Sequence, residues 1–191
     1  MSRGNPLGYH NLFIHGTREK VTRHMESLFT HFRDDYLRQS IFRLAASPEA
    51  FLMLRSEFAK SLAAINICSY ILGIGDRHLE NFLLDMSTGC LIPIDFGHAF
   101  GSATEVLPVP ELAPFRLTRQ LESFLSPLGT KGLLENSMVC IMKALQTKKD
   151  VILNTMDVFV KEPLLDWRKF AVNQAKEQSK CGHPLEMVVI I

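Results

Sequence analysis

The stretch GIGDRHLENFLLDMSTGCLIPIDFG, residues 73–97, decides the fold because two short apolar runs lie between two polar patches. The runs at Phe82–Leu84 and residues 91–94 flank Ser87-Thr88-Gly89, a turn-forming sequence, and together they predict a β-hairpin. Pro93 lacks a backbone N–H, which predicts an edge strand or a very short ladder. Buried charge is costly unless it is paired or bound to a metal, so we expect the two polar patches to form one site.

The hairpin predicts which polar side chains meet at its open end. Asn81 lies seven residues before Thr88 and Asp95 lies seven after it, so the two should face each other to within one residue of register. Directly opposed residues are separated by ~5 Å. An amide oxygen beside a carboxylate suits Mg²⁺, which takes one or two protein oxygens together with phosphate oxygens and water. The spacing therefore predicts a magnesium–phosphate site at Asn81 and Asp95.

Two further polar residues precede this pair. Asp76 lies five residues before Asn81, and a loop aspartate beside a metal–phosphate site can accept a proton from an attacking hydroxyl. His78 could donate to a transferring phosphoryl oxygen or orient a carboxylate. An Asp-Arg-His trio alone is more often a surface turn, and Asp-Phe-Gly alone arises by chance. The full order of Asp, Asn, hairpin and Asp-Phe-Gly matches the arrangement of a kinase site.

A long helix is predicted before the site. Ser47 can cap it, Pro48 fits its first position, and Gly73 or Gly75 can close it in a left-handed turn. Its buried stripe follows steps of three and four, at Phe51, Leu54, Phe58, Leu62 and Ile65. The sequence therefore predicts that this helix forms the centre of the core.

The remaining chain is predicted to be mainly helical. Residues 17–44 have helical periodicity, residues 1–16 suggest a loop, and residues 98–115 suggest an ordered but irregular loop with three prolines. Helices are predicted at about 116–126, 132–147 and 148–160, followed by a segment around Trp167 and a tail without periodicity at 171–191. The fold class is therefore α+β, mainly helical with one small hairpin.

Composition limits the function classes. The chain is 47% hydrophobic with a formal net charge of +1, which gives neither a basic nucleic-acid footprint nor a disordered composition. Four cysteines are spread along the sequence without metal-ligand spacing, which fits a reducing compartment, cytosol or nucleus. The most apolar run, residues 62–74, is shorter than the ~20 residues that span a bilayer, so we expect no membrane association.

The motifs resemble one known family. The order Asp76-Arg77-His78 reverses the His-Arg-Asp of ordinary protein kinases, and GDRHLEN…IDFGHAFG resembles the phosphatidylinositol 3-kinase-related protein kinase family. The segments SPEAFLMLRSEFAKSLA, GHAFGSATEVLPVPELAPFRLTRQ and NTMDVFVKEPLLDWRKF extend the resemblance. It implies the helical C-terminal lobe of a protein-kinase-like (PI3/PI4-kinase) fold over residues 47–170, with a partial upstream segment at 1–46 and a divergent tail at 171–191.

The resemblance implies roles for four polar residues. Asp76 would act as the general base or orient the substrate hydroxyl, and His78 would stabilise the transition state. Asn81 and Asp95 would bind the metal. These roles agree with the positions that the hairpin predicts.

The resemblance also implies cofactors, partners and setting. Leu83 and Ile94 match positions that floor the adenine pocket, so ATP and Mg²⁺ are the implied cofactors. The implied substrates are proteins with Ser/Thr-Gln sites, and a family member that the quoted segments resemble acts in double-strand-break repair by non-homologous end joining in the nucleus. DNA would be engaged only indirectly, through regions and end-binding partners outside this chain.

A lipid substrate is disfavoured by the sequence itself. Lipid kinases of this superfamily carry basic residues in the activation loop, because an inositol phosphate needs cations. Residues 98–115 contain no Lys or Arg and include Glu105 and Glu111. A phosphoinositide kinase lobe is therefore the least favoured alternative.

The chain also departs from a complete kinase pattern. Residues 1–46 show neither a Gly-rich loop between strands nor a strand lysine of the Val-Ala-Ile-Lys type. We therefore expect a C-lobe fragment with negligible kinase activity by itself. The alternative is a non-catalytic remnant, or an interaction module, derived from such a kinase.

Overall fold

The computed structural model describes residues 11–12, 15–107, 111 and 113–161, with residues 105–106 and 159–161 described by their backbone alone. The chain divides into two compact units, residues 1–144 and residues 145–191. The predicted segment around Trp167 and the tail at 171–191 lie outside the described residues, as does most of the predicted loop at 1–16.

The first unit begins with three helices, α1 (Arg18–His31), α2 (Tyr36–Leu44) and α3 (Pro48–Leu72). A 3-10 turn at Leu79–Asn81 then leads into the antiparallel hairpin of β1 (Phe82–Leu84) and β2 (Leu91–Pro93). Helices α4 (Ser102–Val106) and α5 (Arg119–Phe124), a 3-10 turn (Gly129–Lys131) and α6 (Leu133–Thr147) follow, and α7 (Lys149–Lys161) lies within the second unit. This mainly helical architecture with one small sheet confirms the predicted fold class.

Helix α3 begins and ends where the sequence predicts. The Ser47 hydroxyl accepts a hydrogen bond of 3.1 Å from the N–H of Ala50, and Pro48 occupies the first helical position. Gly73 closes the helix in the left-handed conformation, with φ at +58°. A side chain there would be strained, since only glycine adopts this conformation without steric cost. Both predicted ends are confirmed.

The core is built around the predicted stripe of α3. Phe58 and Leu62 are almost completely buried. Phe124 of α5 packs edge-on against Phe58 and Phe51, with ring centroids 4.7 Å and 5.8 Å apart. Such aromatic pairs add ~0.5–1.5 kcal/mol beyond the burial of their area. Other buried residues of this cluster come from α2, α3, β2, α5, the residue that follows α5, and α6: Ile41, Ala59, Ala63, Leu91, Leu121, Leu125 and Leu134.

The hairpin is attached to α3 by a side chain of that helix. The hydroxyl of Ser61 accepts a hydrogen bond of 2.9 Å from the N–H of Leu91, at the start of β2. Leu91 also buries its side chain in the core cluster. The polar contact and the apolar contact together fix β2 on the helix, and β2 in turn positions β1.

Two of the predicted helical regions differ from the structure. The helical region predicted at residues 17–44 is interrupted at residues 32–35, between α1 and α2. Asp34 there pairs with Arg119, and Asp35 binds Arg33 and Gln39. Aspartate competes with the helical backbone for hydrogen bonds and so favours such breaks. Helix α5 begins only at Arg119, because the Thr118 hydroxyl accepts from Leu121 at 3.4 Å and caps it.

Two predicted loops contain helix. Residues 98–115 were expected to be irregular, but residues 102–106 form α4, with Ala103 buried on its inner side. Residues 11–12 and 15 are helical as well. Helices α6 and α7 begin and end within about one residue of their predicted limits. Within the described part of the chain, no helix is long and apolar enough to cross a bilayer.

Candidate active site

The hairpin turn is fixed by one carboxylate. Asp85 accepts hydrogen bonds of 2.7 Å from the Thr88 hydroxyl and of 2.9 Å and 2.7 Å from the N–H and hydroxyl of Ser87. These bonds lower the pKa of Asp85 from 3.8 to about 2, and the bond from the Thr88 side chain has the largest effect. The N–H of Asp85 donates to the carbonyl of Cys90, which closes a four-residue loop. The hairpin axis therefore lies between Ser87 and Thr88.

This turn shifts the predicted pairing by one residue. The N–H of Ile94 donates to the carbonyl of Asn81 at 3.0 Å, so Ile94 is the partner of Asn81 and Asp95 follows it. The shift lies within the one-residue margin of the prediction. Asp95 has a φ of +56°, so the strand has ended there and its alternation of faces no longer applies. Asn81 and Asp95 therefore share the open end of the hairpin without being direct partners.

Arg77 joins the loop after α3 to the end of β2. Its side chain is buried, and its guanidinium donates to the carbonyls of Gly75 and Ile94 at 2.9 Å each and to the carbonyl of Asp95. The guanidinium also lies 5.4 Å from the centroid of the Phe96 ring. A buried charge is tolerated when its donors are satisfied in this way. Sequence reasoning assigned Arg77 no role, because its acceptors are backbone groups that residue types do not reveal.

The side-chain amide of Asn81 is oriented by the loop. Its Nδ2 donates to the carbonyl of Asp76 at 2.7 Å, which fixes the direction of the amide in a buried position. Within the described residues, its Oδ1 accepts no hydrogen bond. Asp95 accepts from the N–H of Gly97 at 3.1 Å through Oδ1, and no group of the described residues donates a hydrogen bond to its Oδ2. Two residues at this end of the hairpin therefore carry oxygen atoms of the hard type that Mg²⁺ binds.

One amide and one carboxylate are too few to hold a metal by protein groups alone, but they are donor types that suit Mg²⁺. In the described part of the chain, no three His, Cys, Asp or Glu residues cluster closely enough to bind a metal. Mg²⁺ keeps several waters and commonly takes one or two protein oxygens, with phosphate supplying others. Asn81 and Asp95 provide that donor set.

Asp76 and His78 present their side chains at the same loop. His78 Nε2 lies 4.0 Å from Asp76 Oδ2, which is beyond hydrogen-bonding distance. The side chains are 47% and 29% exposed, respectively. Both groups are accessible to a substrate, as the proposed acid–base roles require.

Backbone strain is concentrated in this region. Within the described residues, positive φ values outside glycine occur at Asp76, Asp95 and Phe100, each at 56°. The left-handed conformation costs roughly 1–2 kcal/mol for a residue with a side chain. Such strain persists only where the surroundings impose it, and it clusters at functional sites. Two of the three strained residues are carboxylates that the sequence placed in the site.

An exposed apolar face lies beside the polar groups. Leu83 of β1 is 51% exposed and pairs with Ile92 of β2, which is 45% exposed, and Ile94 is 38% exposed. The sequence named Leu83 and Ile94, but missed Ile92. The alternation of Ile92 and Ile94 along one strand is the signal that could have identified it. Such a surface suits a flat aromatic base.

The carboxylate of Glu111 also reaches this loop. Its Oε2 accepts from the N–H of Asp76 at 2.7 Å, and its Oε1 accepts from the N–H of Arg77 at 3.3 Å. In the sequence, Glu111 is evident only as a negative charge within residues 98–115. A contact across 35 residues, through an irregular segment, leaves no local signal.

The fold and the site define a kinase-type class, and the chain belongs to the phosphatidylinositol 3- and 4-kinase family, whose family model matches residues 7–169. This confirms the predicted family. The chain is 53% identical over 182 residues to the DNA-dependent protein kinase catalytic subunit of Dictyostelium discoideum, covering 94% of this chain and 4% of that protein. The corresponding protein of Gallus gallus is 46% identical over 169 residues, covering 88% of this chain and 4% of that protein.

More distant relatives are similar over a smaller part of the chain. The serine/threonine-protein kinase TOR of Oryza sativa is 34% identical, covering 74% of this chain and 6% of that protein. Among solved structures, the FAT and kinase domain of CtTel1 matches with a TM-score of 0.64 and 33% identity, covering 69% of this chain and 9% of that chain. The chain thus spans about 4% of the length of the DNA-dependent protein kinases that it matches.

Proposed function

We propose that this site belongs to a serine/threonine protein kinase and transfers the γ-phosphoryl group of ATP to protein hydroxyls. One observation carries the proposal: buried Arg77 bonds to the carbonyls of Ile94 and Asp95, while Asn81 bonds to the carbonyl of Asp76. These contacts connect the loop that carries the acid–base residue to both metal-ligand positions. Phosphoryl transfer depends mainly on such positioning and on neutralisation of charge.

The residues divide the chemistry among them. Asp76 accepts the proton of the attacking hydroxyl, or orients that hydroxyl towards the phosphorus. His78, exposed beside it, donates a hydrogen bond to the transferring phosphoryl oxygen. Asn81 Oδ1 and the Asp95 carboxylate would hold Mg²⁺, which when bound neutralises charge on the phosphate oxygens.

The outer face of the hairpin would bind the base. Leu83, Ile92 and Ile94 form an exposed apolar surface next to the metal-ligand positions. Burial of this surface under an adenine ring would remove apolar area from water, at ~25 cal/mol per Å². Asn81 and Asp95 would then hold the Mg²⁺ that neutralises the phosphates of the bound ATP.

A protein is the preferred substrate over a lipid. Residues 98–115 contain no Lys or Arg to pair with an inositol phosphate. The DNA-dependent protein kinase catalytic subunit and the serine/threonine-protein kinase TOR, both similar to this chain, are protein kinases by name. By similarity to the DNA-dependent protein kinases, we propose Ser/Thr-Gln sites, action in the nucleus in end joining of DNA breaks, and DNA contact only through other regions or partners.

The test is phosphoryl transfer from labelled ATP to a Ser-Gln peptide, measured with the longest natural protein product that contains these residues. Asp76→Asn and Asp95→Ala should each reduce kcat by ~10²-fold or more, as expected for loss of an acid–base group or a metal ligand. Asp150→Asn, on the exposed surface of α7, is the matched control and should retain full activity.

Each alternative has its own outcome. A non-catalytic remnant predicts that no product transfers phosphate and that ATP with Mg²⁺ does not bind. A phosphoinositide kinase predicts robust phosphorylation of phosphatidylinositol vesicles and little peptide phosphorylation. Transfer that survives both Asp76→Asn and Asp95→Ala would refute the residue roles.

A further inference from the structure

The carboxylate of Glu111 binds the backbone of the loop that contains Asp76. Its two oxygens accept from two successive N–H groups, those of Asp76 at 2.7 Å and Arg77 at 3.3 Å. Successive N–H groups that converge on one anion form a concave binding site of the kind that proteins use for phosphate. Here the anion is a side chain of the same protein, from a segment 35 residues later in the sequence.

Both backbone groups of Asp76 are bonded to side chains. Glu111 accepts from its N–H, and Asn81 donates to its carbonyl at 2.7 Å. Asp76 is held at a φ of +56°, a conformation that it would leave if these partners were lost. The direction of its side chain follows from this backbone conformation. Glu111 therefore acts on the proposed base through the main chain and does not touch the reacting atoms.

Glu111 is in turn connected to α4. Its carbonyl accepts a hydrogen bond of 3.0 Å from the hydroxyl of Thr104. The approach of the two segments requires a glycine at position 75, because a Cβ there would lie 2.1 Å from the Cβ of Ala103 and 3.0 Å from Glu111 Oε2. The N–H of Gly75 also donates to the carbonyl of His98 at 2.8 Å. The loop that carries Asp76 is thus packed directly on the segment that follows β2.

We propose that Glu111 is a positioning residue for phosphoryl transfer: it aligns Asp76 only when the segment containing α4 is folded against the loop. This inference rests on the proposed function, because it assigns Asp76 a part in the reaction. It makes activity depend on the hydrogen bonds that Glu111 accepts from Asp76, Arg77 and Thr104. Loss of these bonds would misalign the base without removing any catalytic group.

The first experiment measures the backbone directly and needs no activity. Hydrogen exchange is compared between wild type and Glu111→Ala for peptides that cover residues 74–78. We expect exchange there to rise by ~tenfold or more, the equivalent of one lost charge-assisted hydrogen bond. Peptides from the middle of α3 should be unchanged, which would show that the variant is folded. Glu122→Ala, an exposed position on α5, is the matched control.

The second experiment measures steady-state phosphorylation of the Ser-Gln peptide by the longest natural protein product that contains these residues. Glu111→Ala should lower kcat by roughly 10- to 100-fold, because small misplacements of a catalytic group have effects of this size. The KM for ATP should remain within about twofold, since no ATP contact is removed. Glu111→Gln retains one acceptor oxygen, and its kcat should fall between those of Glu111→Ala and wild type.

The outcomes separate the two proposals. Unchanged exchange at residues 74–78 in Glu111→Ala overturns the inference, whatever the activity. Raised exchange with unchanged kcat also overturns it, since the backbone would then not control the reaction. If the wild-type product transfers no phosphate, the proposed function fails, and the exchange result alone decides whether Glu111 sets this backbone.

Discussion

Replacement of Arg77 by lysine removes the planar guanidinium whose hydrogen bonds connect the loop after α3 to the end of β2. The guanidinium donates to three carbonyls, those of Gly75, Ile94 and Asp95. A lysine ammonium on a flexible stem can follow one of them but cannot reproduce the planar arrangement of donors. Two of the three hydrogen bonds should therefore be lost in Arg77→Lys.

The expected loss of stability follows from these contacts. A hydrogen bond to a charged group contributes about 1.5–3 kcal/mol, so two lost bonds give an upper range of about 3–6 kcal/mol. Ile94 and Asp95 are exposed, so water can replace part of the lost bonding at their carbonyls. We therefore expect the free energy of unfolding to fall by about 2–4 kcal/mol, within the range seen when a buried network is broken.

The assay is urea unfolding of the 191-residue chain, followed by far-UV circular dichroism and extrapolated linearly to water. Arg43→Lys, at an exposed position of α2, is the matched control and should change the free energy of unfolding by less than about 0.5 kcal/mol. A loss below about 1 kcal/mol in Arg77→Lys would refute the argument that this guanidinium holds the two segments together.

Two other predictions concern the hairpin. Ser61→Ala leaves the N–H of Leu91 without its acceptor and should lower the free energy of unfolding by about 1–3 kcal/mol in the same assay. The control Ser40→Ala, at an exposed position of α2, should leave the free energy of unfolding unchanged. Equal effects of the two substitutions would contradict the proposal that Ser61 anchors the hairpin. The carboxyl of Asp85 should titrate by NMR with a midpoint of about 2. Because its pKa is lowered on folding, the stability that it adds is present above pH 3.8 and is lost as the pH falls towards 2, a dependence that Asp85→Asn should abolish.

Much of the architecture follows from local sequence signals. Ser47 and Pro48 begin the long helix and Gly73 ends it, since a cap, a fixed φ and a left-handed turn act within a few residues. The hairpin follows from two apolar runs around a turn. The break between α1 and α2 was missed because helical periodicity continues across it, and Asp34 finds its partner, Arg119, much later in the sequence.

The residue types of the candidate site could be predicted from the sequence, but the pairing of those residues across the hairpin could not. The order of Asp76, Asn81 and Asp95 along the chain indicates the proposed chemistry, because a loop base followed by two oxygen ligands for Mg²⁺ is the set of residue types that phosphoryl transfer to a hydroxyl uses. The register of the hairpin is set by the hydrogen bonds of one turn, and a change of one residue in the loop moves every pair. Sequence alone therefore located Asp95 only to within one position of the partner of Asn81.

The sequence by itself determined the central helix, the hairpin and the residues of the candidate site, because these depend on interactions between near neighbours in the chain. Only the tertiary structure decided that Arg77 is buried among backbone carbonyls and that Glu111 binds the backbone of Asp76. Backbone N–H and C=O groups are present at almost every residue, so their partners depend on how the loops approach each other. That approach is set by close packing, as at Gly75 against Ala103, which no short stretch of sequence specifies.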